Sequence, residues 1–221
     1  MLLGSNKTVL PFNEKQLKPS KPKNLFLPKA NGNMRRVYAY LIKKRMIDRD
    51  VITHFVKVKM LYEDEKYHNA VFVGLDENHT PKYAQKRGTY SDTDNFRGNV
   101  EGSNLSYSFS HTGTNTTLFV FEAPIDMLSY ITLNKDDWQQ NSYLALCGVT
   151  DIPLLHFLSQ KKDTTMIILC LDNDRAGLEA SKRIAEKLDQ QGYIVTFNIS
   201  QEKDWNEQLC INAQEQSMKI C

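Results

Sequence analysis

The sequence predicts an α/β fold, a parallel sheet flanked by helices, preceded by a smaller α+β amino-terminal subdomain. Three observations carry this expectation. From Thr117 onward, apolar runs of strand length alternate with segments of helical spacing, the layout of parallel strands joined by crossover helices. The run Met166–Leu171 is apolar at all six positions, as in a strand buried on both faces. Ahead of residue 115, shorter helix-like and strand-like segments occur without that regular alternation.

Residues 1–30 place Pro11, Pro19, Pro22 and Pro28 among many lysines and read as an extended basic arm or linker. Residues 31–114 are assigned to the amino-terminal subdomain, 115–210 to the α/β domain and 211–221 to a tail. In the subdomain, Val37, Tyr38, Leu41 and Ile42 have the i, i+3/i+4 spacing of a helix over Met34–Arg45. A second short helix follows, with Asp48 as N-cap and Val51, Ile52 and Phe55 inward. Val56–Met60 alternates strictly and predicts a strand. Ala70–Leu75 predicts another, with a turn at Asp76–His79 and a return strand at Tyr83–Arg87. Residues 88–116 read as a long irregular connection with Tyr107–Phe109 ordered; loops of that length are often functional. In the α/β domain, strands are expected at Leu118–Phe121, Tyr143–Cys147, Met166–Leu171 and Tyr193–Ile199. The helices between them are expected at Ile125–Leu133, Ile152–Leu158 and Ala176–Leu188.

A hydrophobic content of 41% and a charged content of 24% are those of an ordinary globular protein. No run approaches the ~18 apolar residues of a membrane helix, and the start is too short for a signal peptide. A cytoplasmic protein with no membrane partner is expected. Cys147, Cys170, Cys210 and Cys221 form no CxxC pair, which removes support for a zinc ribbon. His68, His79 and His111 lie in polar or turn-like segments with no carboxylate partner, so no histidine-based site is expected. Residues 1–60 hold 14 Lys/Arg against 3 Asp/Glu, whereas the remainder holds 14 against 23. A basic arm beside an acidic domain fits a polyanion partner and an acidic part that takes metal; a solvated tail is the alternative.

In open parallel sheets the site lies beyond the carboxyl ends of the strands. Glu122 directly follows Leu118–Phe121, and Asp172 and Asp174 directly follow Met166–Leu171. The alternating pattern predicts that strands 118–121 and 166–171 are adjacent and parallel. The three carboxylates then converge, and unpaired they repel one another and resist ionising together. A hard divalent cation relieves that conflict, and Mg²⁺ prefers carboxylate oxygen. Residues i and i+2 of an extended segment also point the same way. The competing reading for Asp172 or Asp174 is the N-cap of the helix opening near Ala176. Lys82, Lys86, Arg87 and Arg97 are the candidate nucleic-acid-binding cations. Tyr83, Tyr90 and Phe96 lie among them and are candidates to stack on bases. A solvated strand face is the alternative there.

Phe121-Glu122-Ala123-Pro124-Ile125-Asp126 and Leu171-Asp172-Asn173-Asp174-Arg175-Ala176-Gly177 resemble the two hallmark motifs of the toprim fold. Leu146–Thr150 resembles the small-residue segment between them, and Gln201–Glu207 the third acidic segment. The likeness covers about 115–210. The Asp-x-Asp-Arg-Ala-Gly phrase followed by Lys-Asp is similar to the bacterial replicative primases. Upstream, Tyr40–Arg45 with Ile47–Ile52, Ala70–Val73 and Phe96-Arg97-Gly98 resemble parts of the primase polymerase core. Pro81–Thr89 and Glu122–Asp126 look most like primase-like toprim proteins of plasmids and conjugative elements. Ala123-Pro124 departs from the Gly that normally follows the glutamate, and Asn206 replaces an acid of the third segment.

The resemblance implies a Mg²⁺- or Mn²⁺-dependent nucleotidyl transfer on single-stranded DNA, with nucleoside triphosphates as substrates, in replication or on a mobile element. It assigns catalysis to Glu122, Asp172 and Asp174, and metal binding to these with Asp126 and Asp204. Either Lys82 or Arg87 matches the family's basic contact. A toprim nuclease and a non-catalytic nucleic-acid-binding module remain open as alternatives.

Overall fold

The structure is a computed structural model that describes residues 24–90 and 96–220. Most of the expected basic arm lies outside the described residues. Its described end, 24–30, lies along the amino-terminal sheet: Ala30 bridges Asp64, and the Tyr62 hydroxyl donates to the Pro28 carbonyl at 2.7 Å.

The first helical segment runs as α1 (Arg35–Ala39) and continues into a π-helical turn at Tyr40–Lys44. Its inward residues Val37, Tyr40 and Leu41 are buried. Asp48 then caps α2 (Arg49–Lys57), its carboxylate accepting from the amides of Asp50 and Val51. Val51, Ile52 and Phe55 are buried, as expected. The strand expected over Val56–Met60 is not formed. The cap starts a helix whose buried stripe runs through Phe55, so helical spacing overrides the local Val-Lys alternation. Val58 is left exposed, and Lys59 turns the chain with a positive φ of 60°.

Strands β1 (Leu61–Glu63), β2 (Ala70–Leu75), β3 (Pro81–Arg87) and β4 (Arg97–Asn99) form an antiparallel sheet in the order β1-β2-β3-β4. The expected turn and return strand are present, and β4 falls inside the expected irregular connection. That connection ends in a two-residue strand, β5 (Ser110–His111), with Phe109 fully buried beside it.

The second sheet contains β5, β6 (Thr117–Phe121), β7 (Ser142–Ala145), β8 (Met166–Leu169) and β9 (Ile194–Phe197), in the order β5-β7-β6-β8-β9. Strands β7, β6, β8 and β9 are parallel, while β5 is an antiparallel edge. Helices α3 (Pro124–Leu133), α4 (Ile152–Gln160) and α5 (Arg175–Asp189) connect them, and α6 (Trp205–Ile220) follows across the expected start of the tail. This is the α/β fold that the alternating pattern predicts. Strands β6 and β8 are neighbours in register, Val120 beside Leu169, so their carboxyl ends emerge side by side.

The largest apolar core runs through both sheets. Leu41, Ile52, Phe55 and Phe72 from the amino-terminal half pack with Phe121, Met127, Ile131 and Tyr143. Burying one such side chain stabilises by roughly 1.5–3 kcal/mol. A second cluster on the other face of the parallel sheet joins Leu118, Val120, Ile167 and Leu169 to Leu154, Ile184 and Leu188 of α4 and α5.

Candidate active site at the carboxyl ends of the parallel strands

Glu122 leaves β6 and Asp172 follows β8, and both line one cavity of about 360 Å³. Asp126 reaches it from the first turn of α3, and Asp204 from the start of α6. Ala123 is extended (φ −134°) and Pro124 opens α3, where its missing N–H and fixed φ are tolerated. The Ala-Pro departure is therefore a compatible way to start this helix.

The acid-bearing loops are tied to one another. The Asn173 amide donates to the Lys203 carbonyl at 2.7 Å, and its side-chain amide to the Ser200 carbonyl at 3.2 Å. The Trp205 indole donates to the Cys170 carbonyl at 3.0 Å, fixing the start of α6 to the end of β8. Asn173 and Trp205 thus hold Asp204 next to Asp172.

Asp174 is the N-cap of α5, accepting from the Gly177 amide at 2.9 Å. The capping alternative therefore describes Asp174, while Asp172 faces the cavity. Asp174 remains close enough to act electrostatically on both Glu122 and Asp172. A Cβ on Gly177 would stand 2.2 Å from the Asp172 carbonyl oxygen, so the close approach of α5 to this turn requires glycine.

Burial and crowding shift these acids in one direction. Desolvation, then the Asp174 charge, raises the Glu122 carboxyl, with Arg97 and Lys203 opposing. Burial and then Glu122 push Asp172 up to about 7. Asp126, buried at the cavity wall, is raised well above the usual carboxylate range by burial and then Asp172. Glu122 Oε2 and Asp172 Oδ1 are buried without a hydrogen-bond partner. Such orphaned acceptors are rare and mark a place where an unfilled interaction is expected.

Cations face the acids from the other sheet. Arg87 of β3 and Arg97 of β4 are paired in register, and both line the cavity with Arg45, Lys203 and Gln85. Alternation along β3 sends Gln85 and Arg87 to the cavity and Lys86 to the opposite face. Lys82 lies at the far end of β3, beside a bulge, and pairs with Asp76 at 3.2 Å. Of the four candidate cations the structure thus gathers Arg87 and Arg97 around the acids, and places Lys82 and Lys86 elsewhere. Tyr83 is 1% exposed, and its hydroxyl donates to Asn99, so it is unavailable for stacking.

Arg45, Lys203 and Gln85 join the cavity from outside the set of site residues that the sequence singles out. Lys203 directly precedes Asp204 and Gln85 lies two positions before Arg87, which are the signals that mark them. Arg45 had no such signal. Its guanidinium donates to the Tyr40 hydroxyl at 2.8 Å and to Asn206 Oδ1 at 2.9 Å. The Asn206 side-chain amide in turn donates to the Arg45 carbonyl and Ser129 Oγ, each at 2.9 Å. Asn206 is thus a buried structural tie between α6, α3 and the amino-terminal helices.

One expectation about another group is corrected. His68 has a carboxylate partner after all: its Nδ1 lies 2.7 Å from Glu63 Oε1, a contact made across a turn that sequence spacing does not show. A second cavity of about 370 Å³, lined by residues including Leu75, Tyr107, His156 and Phe157, holds none of the candidate acids.

Comparison with known proteins agrees with this fold. Residues 119–209 match the family model described as Toprim-like, and residues 39–115 match a family described as "Protein of unknown function (DUF3991)". Residues 119–209 form a toprim-like domain. The toprim-like domain and the sheet before it together have the fold of primase cores. The primase fragment of the bacteriophage T7 primase–helicase is 20% identical with a TM-score of 0.64, covering 91% of this chain and 82% of that one. The DnaG primase catalytic domain bound to single-stranded DNA is 16% identical with a TM-score of 0.54, covering 83% and 71%. An uncharacterized protein of Bacillus anthracis is 27% identical over 217 residues, covering 88% of this chain. The chain spans 62% of that relative's length. Among the described residues no helix is long and apolar enough to cross a membrane.

Proposed function

We propose that this protein is a metal-dependent, primase-like nucleotidyltransferase acting on single-stranded DNA with nucleoside triphosphates, in replication or on a mobile element. The observation that carries the reading is the pair of buried, unpartnered carboxylate oxygens of Glu122 and Asp172, facing Arg87, Arg97 and Lys203 across one cavity.

The donor set fits a hard divalent ion. Among the described residues no three His, Cys, Asp or Glu side chains group closely enough to enclose an ion by themselves. Mg²⁺ does not need such a cage, because it is commonly held by one or two carboxylates with waters and substrate phosphates. Asp172 and Glu122 would hold it, with Asp126, Asp174 or Asp204 completing the acidic field. The chemistry supplied there is neutralisation of the triphosphate and activation of the attacking 3′-hydroxyl. Arg87, Arg97 and Lys203 bind phosphate oxygens and orient the triphosphate. Glu122, its carboxyl raised by burial, is placed to exchange a proton when it is not a ligand. Asp126 lines the cavity wall, where its Oδ1 accepts from the Asn206 backbone amide at 3.3 Å.

The test uses the full chain with single-stranded DNA, labelled nucleoside triphosphates and Mg²⁺ or Mn²⁺, resolved on one gel. Extension products that disappear in Asp172→Asn are expected; cleaved template would make the protein a nuclease. The same two proteins are melted with and without Mn²⁺. A ligand at one hundred times its Kd stabilises by about 2.7 kcal/mol, a shift expected for wild type and absent in Asp172→Asn. A wild type that neither extends, cleaves nor responds to Mn²⁺ leaves a nucleic-acid-binding module as the surviving reading.

A further inference from the structure

Three aromatic rings stand exposed at one end of the amino-terminal sheet: Tyr67 (54%), Tyr90 (52%) and Phe96 (49%). Each has a cation over its face. The Arg36 guanidinium lies 4.3 Å from the Tyr90 ring centre, Lys66 Nζ 4.9 Å from that of Tyr67 and Lys86 Nζ 5.6 Å from that of Phe96. Single exposed apolar side chains need no explanation. Three half-exposed rings at one sheet end, each with a cation beside it, are a different matter, because together they offer stacking surface and positive charge in one place.

Hydrogen bonds join the chain segments that carry these rings. Thr89 Oγ1 donates to the His68 carbonyl at 2.8 Å, which joins the strand end carrying Tyr90 to the turn carrying Tyr67. The Gly88 amide donates to the Phe96 carbonyl at 2.8 Å, which sets Phe96 directly across from the end of β3. Gly98 is two positions further along β4. A Cβ there would lie 3.7 Å from the tip of the Phe96 ring, so the ring covers glycine backbone.

The platform adjoins the acidic cavity. Tyr90 is three residues beyond Arg87, roughly 10 Å along an extended chain. Phe96 immediately precedes Arg97, and alternation sets its ring on the face of β4 opposite the one Arg97 turns to the cavity. Because β4 is the outermost strand, a chain crossing that edge can meet Phe96 on one side and Arg97 on the other.

We propose that Tyr90 and Phe96, with Tyr67 as an outlying third ring, form a base-stacking platform that holds single-stranded DNA just before it enters the acidic cavity. This rests on the nucleic-acid reading above and adds to it the path and mode of strand binding. Stacking tolerates any base, so the platform binds without sequence preference. Arg36, Lys66 and Lys86 lie where a passing backbone brings its phosphates. The expected signature is a strand affinity that depends on bases as well as on charge.

The test measures binding of two fluorescein-labelled 16-mers to the full chain, oligo(dT) and an abasic strand of equal charge, across a salt series. The wild type is expected to bind oligo(dT) more tightly. Tyr90→Ala and Phe96→Ala should each weaken oligo(dT) binding about tenfold, as loss of one stacked base predicts, with the salt slope unchanged. The double variant should bind the two strands equally, and Tyr90→Trp or Phe96→Trp should retain the preference. Arg87→Ala/Arg97→Ala serves as the contrast, flattening the salt slope for both strands alike. If the arginine variant weakens binding while the double aromatic variant binds oligo(dT) as wild type does, the platform is overturned and the cavity reading stands. A wild type that binds both strands equally also overturns it. A wild type that binds neither overturns the platform and the single-stranded DNA reading together.

Discussion

Glu63 shows how much one side chain can organise at a distance from the candidate site. Its side chain is 2% exposed, yet its carboxylate accepts from the amides of Arg36 and Val37 at 3.0 and 3.1 Å and from Asn31 at 2.8 Å. His68 Nδ1 completes the set. Burial alone would raise this carboxyl, but the amide of Val37, then His68, Asn31 and Arg36, outweigh it and hold it below the ordinary value of 4.5. A depressed carboxyl contributes stability that is present above its unfolded-state value and lost as pH falls through the folded one. Chemical denaturation should therefore show wild-type stability declining below about pH 4.5. Glu63→Gln should be less stable at pH 7 by about 1–3 kcal/mol, the penalty of unsatisfied buried groups, and its acid decline should be shallower. Equal pH dependence in the two proteins would show that the depression is not real. The same residue scale exposes a limit of sequence reading. Asp172 and Asp174 are two positions apart in an Asp-x-Asp phrase, yet one faces the cavity and the other caps a helix, a division set by where α5 begins.

At the scale of elements, the turn from β8 into α5 carries the site. Gly177 lets the first turn of α5 press against the Asp172 carbonyl, and Asn173 fastens the same turn to the loop bearing Lys203 and Asp204. Gly177→Ala must push α5 and Asp172 apart, because the contact of 2.2 Å is with rigid backbone. Strain of this kind costs typically 1–3 kcal/mol, and the expected outcome is a lower melting temperature together with a smaller Mn²⁺-induced shift than wild type. A variant with unaltered melting and unaltered Mn²⁺ response would mean that the turn relaxes freely. The sheet of β1–β4 teaches a related lesson. Lys82, Lys86, Arg87 and Arg97 look equivalent as a basic cluster in sequence, but strand alternation and a bulge distribute them to different places. The lost strand at 56–60 has the same origin, since a local Val-Lys alternation yields to a helix already capped by Asp48 and anchored by Phe55.

At the scale of the whole molecule, the two halves share one core. Leu41, Phe55 and Phe72 pack with Phe121, Met127 and Tyr143, and the partly buried Arg45–Asn206–Ser129 network crosses the same boundary. The cavity needs both halves, with its acids on the parallel sheet and Arg45, Arg87 and Arg97 ahead of it. Thermal unfolding followed by far-ultraviolet circular dichroism and by tryptophan fluorescence should give one coincident transition, the test of all-or-none behaviour. Two separated transitions would show that the halves unfold independently.

The sequence by itself determined the parallel α/β layout, because apolar runs spaced by amphipathic helices leave few other ways to bury both faces of a sheet. It also placed Glu122 and Asp172 at strand ends, since chain order alone puts a residue after its strand. The adjacency of β6 and β8, which brings those two ends together, was expected from the same alternation and is present, whereas the tie from Asn206 to Arg45 and the placement of Arg87 rather than Lys82 at the cavity were decided only in the folded molecule. Each of these depends on contacts between residues tens of positions apart. Side-chain direction there follows from register and packing, which local pattern does not encode.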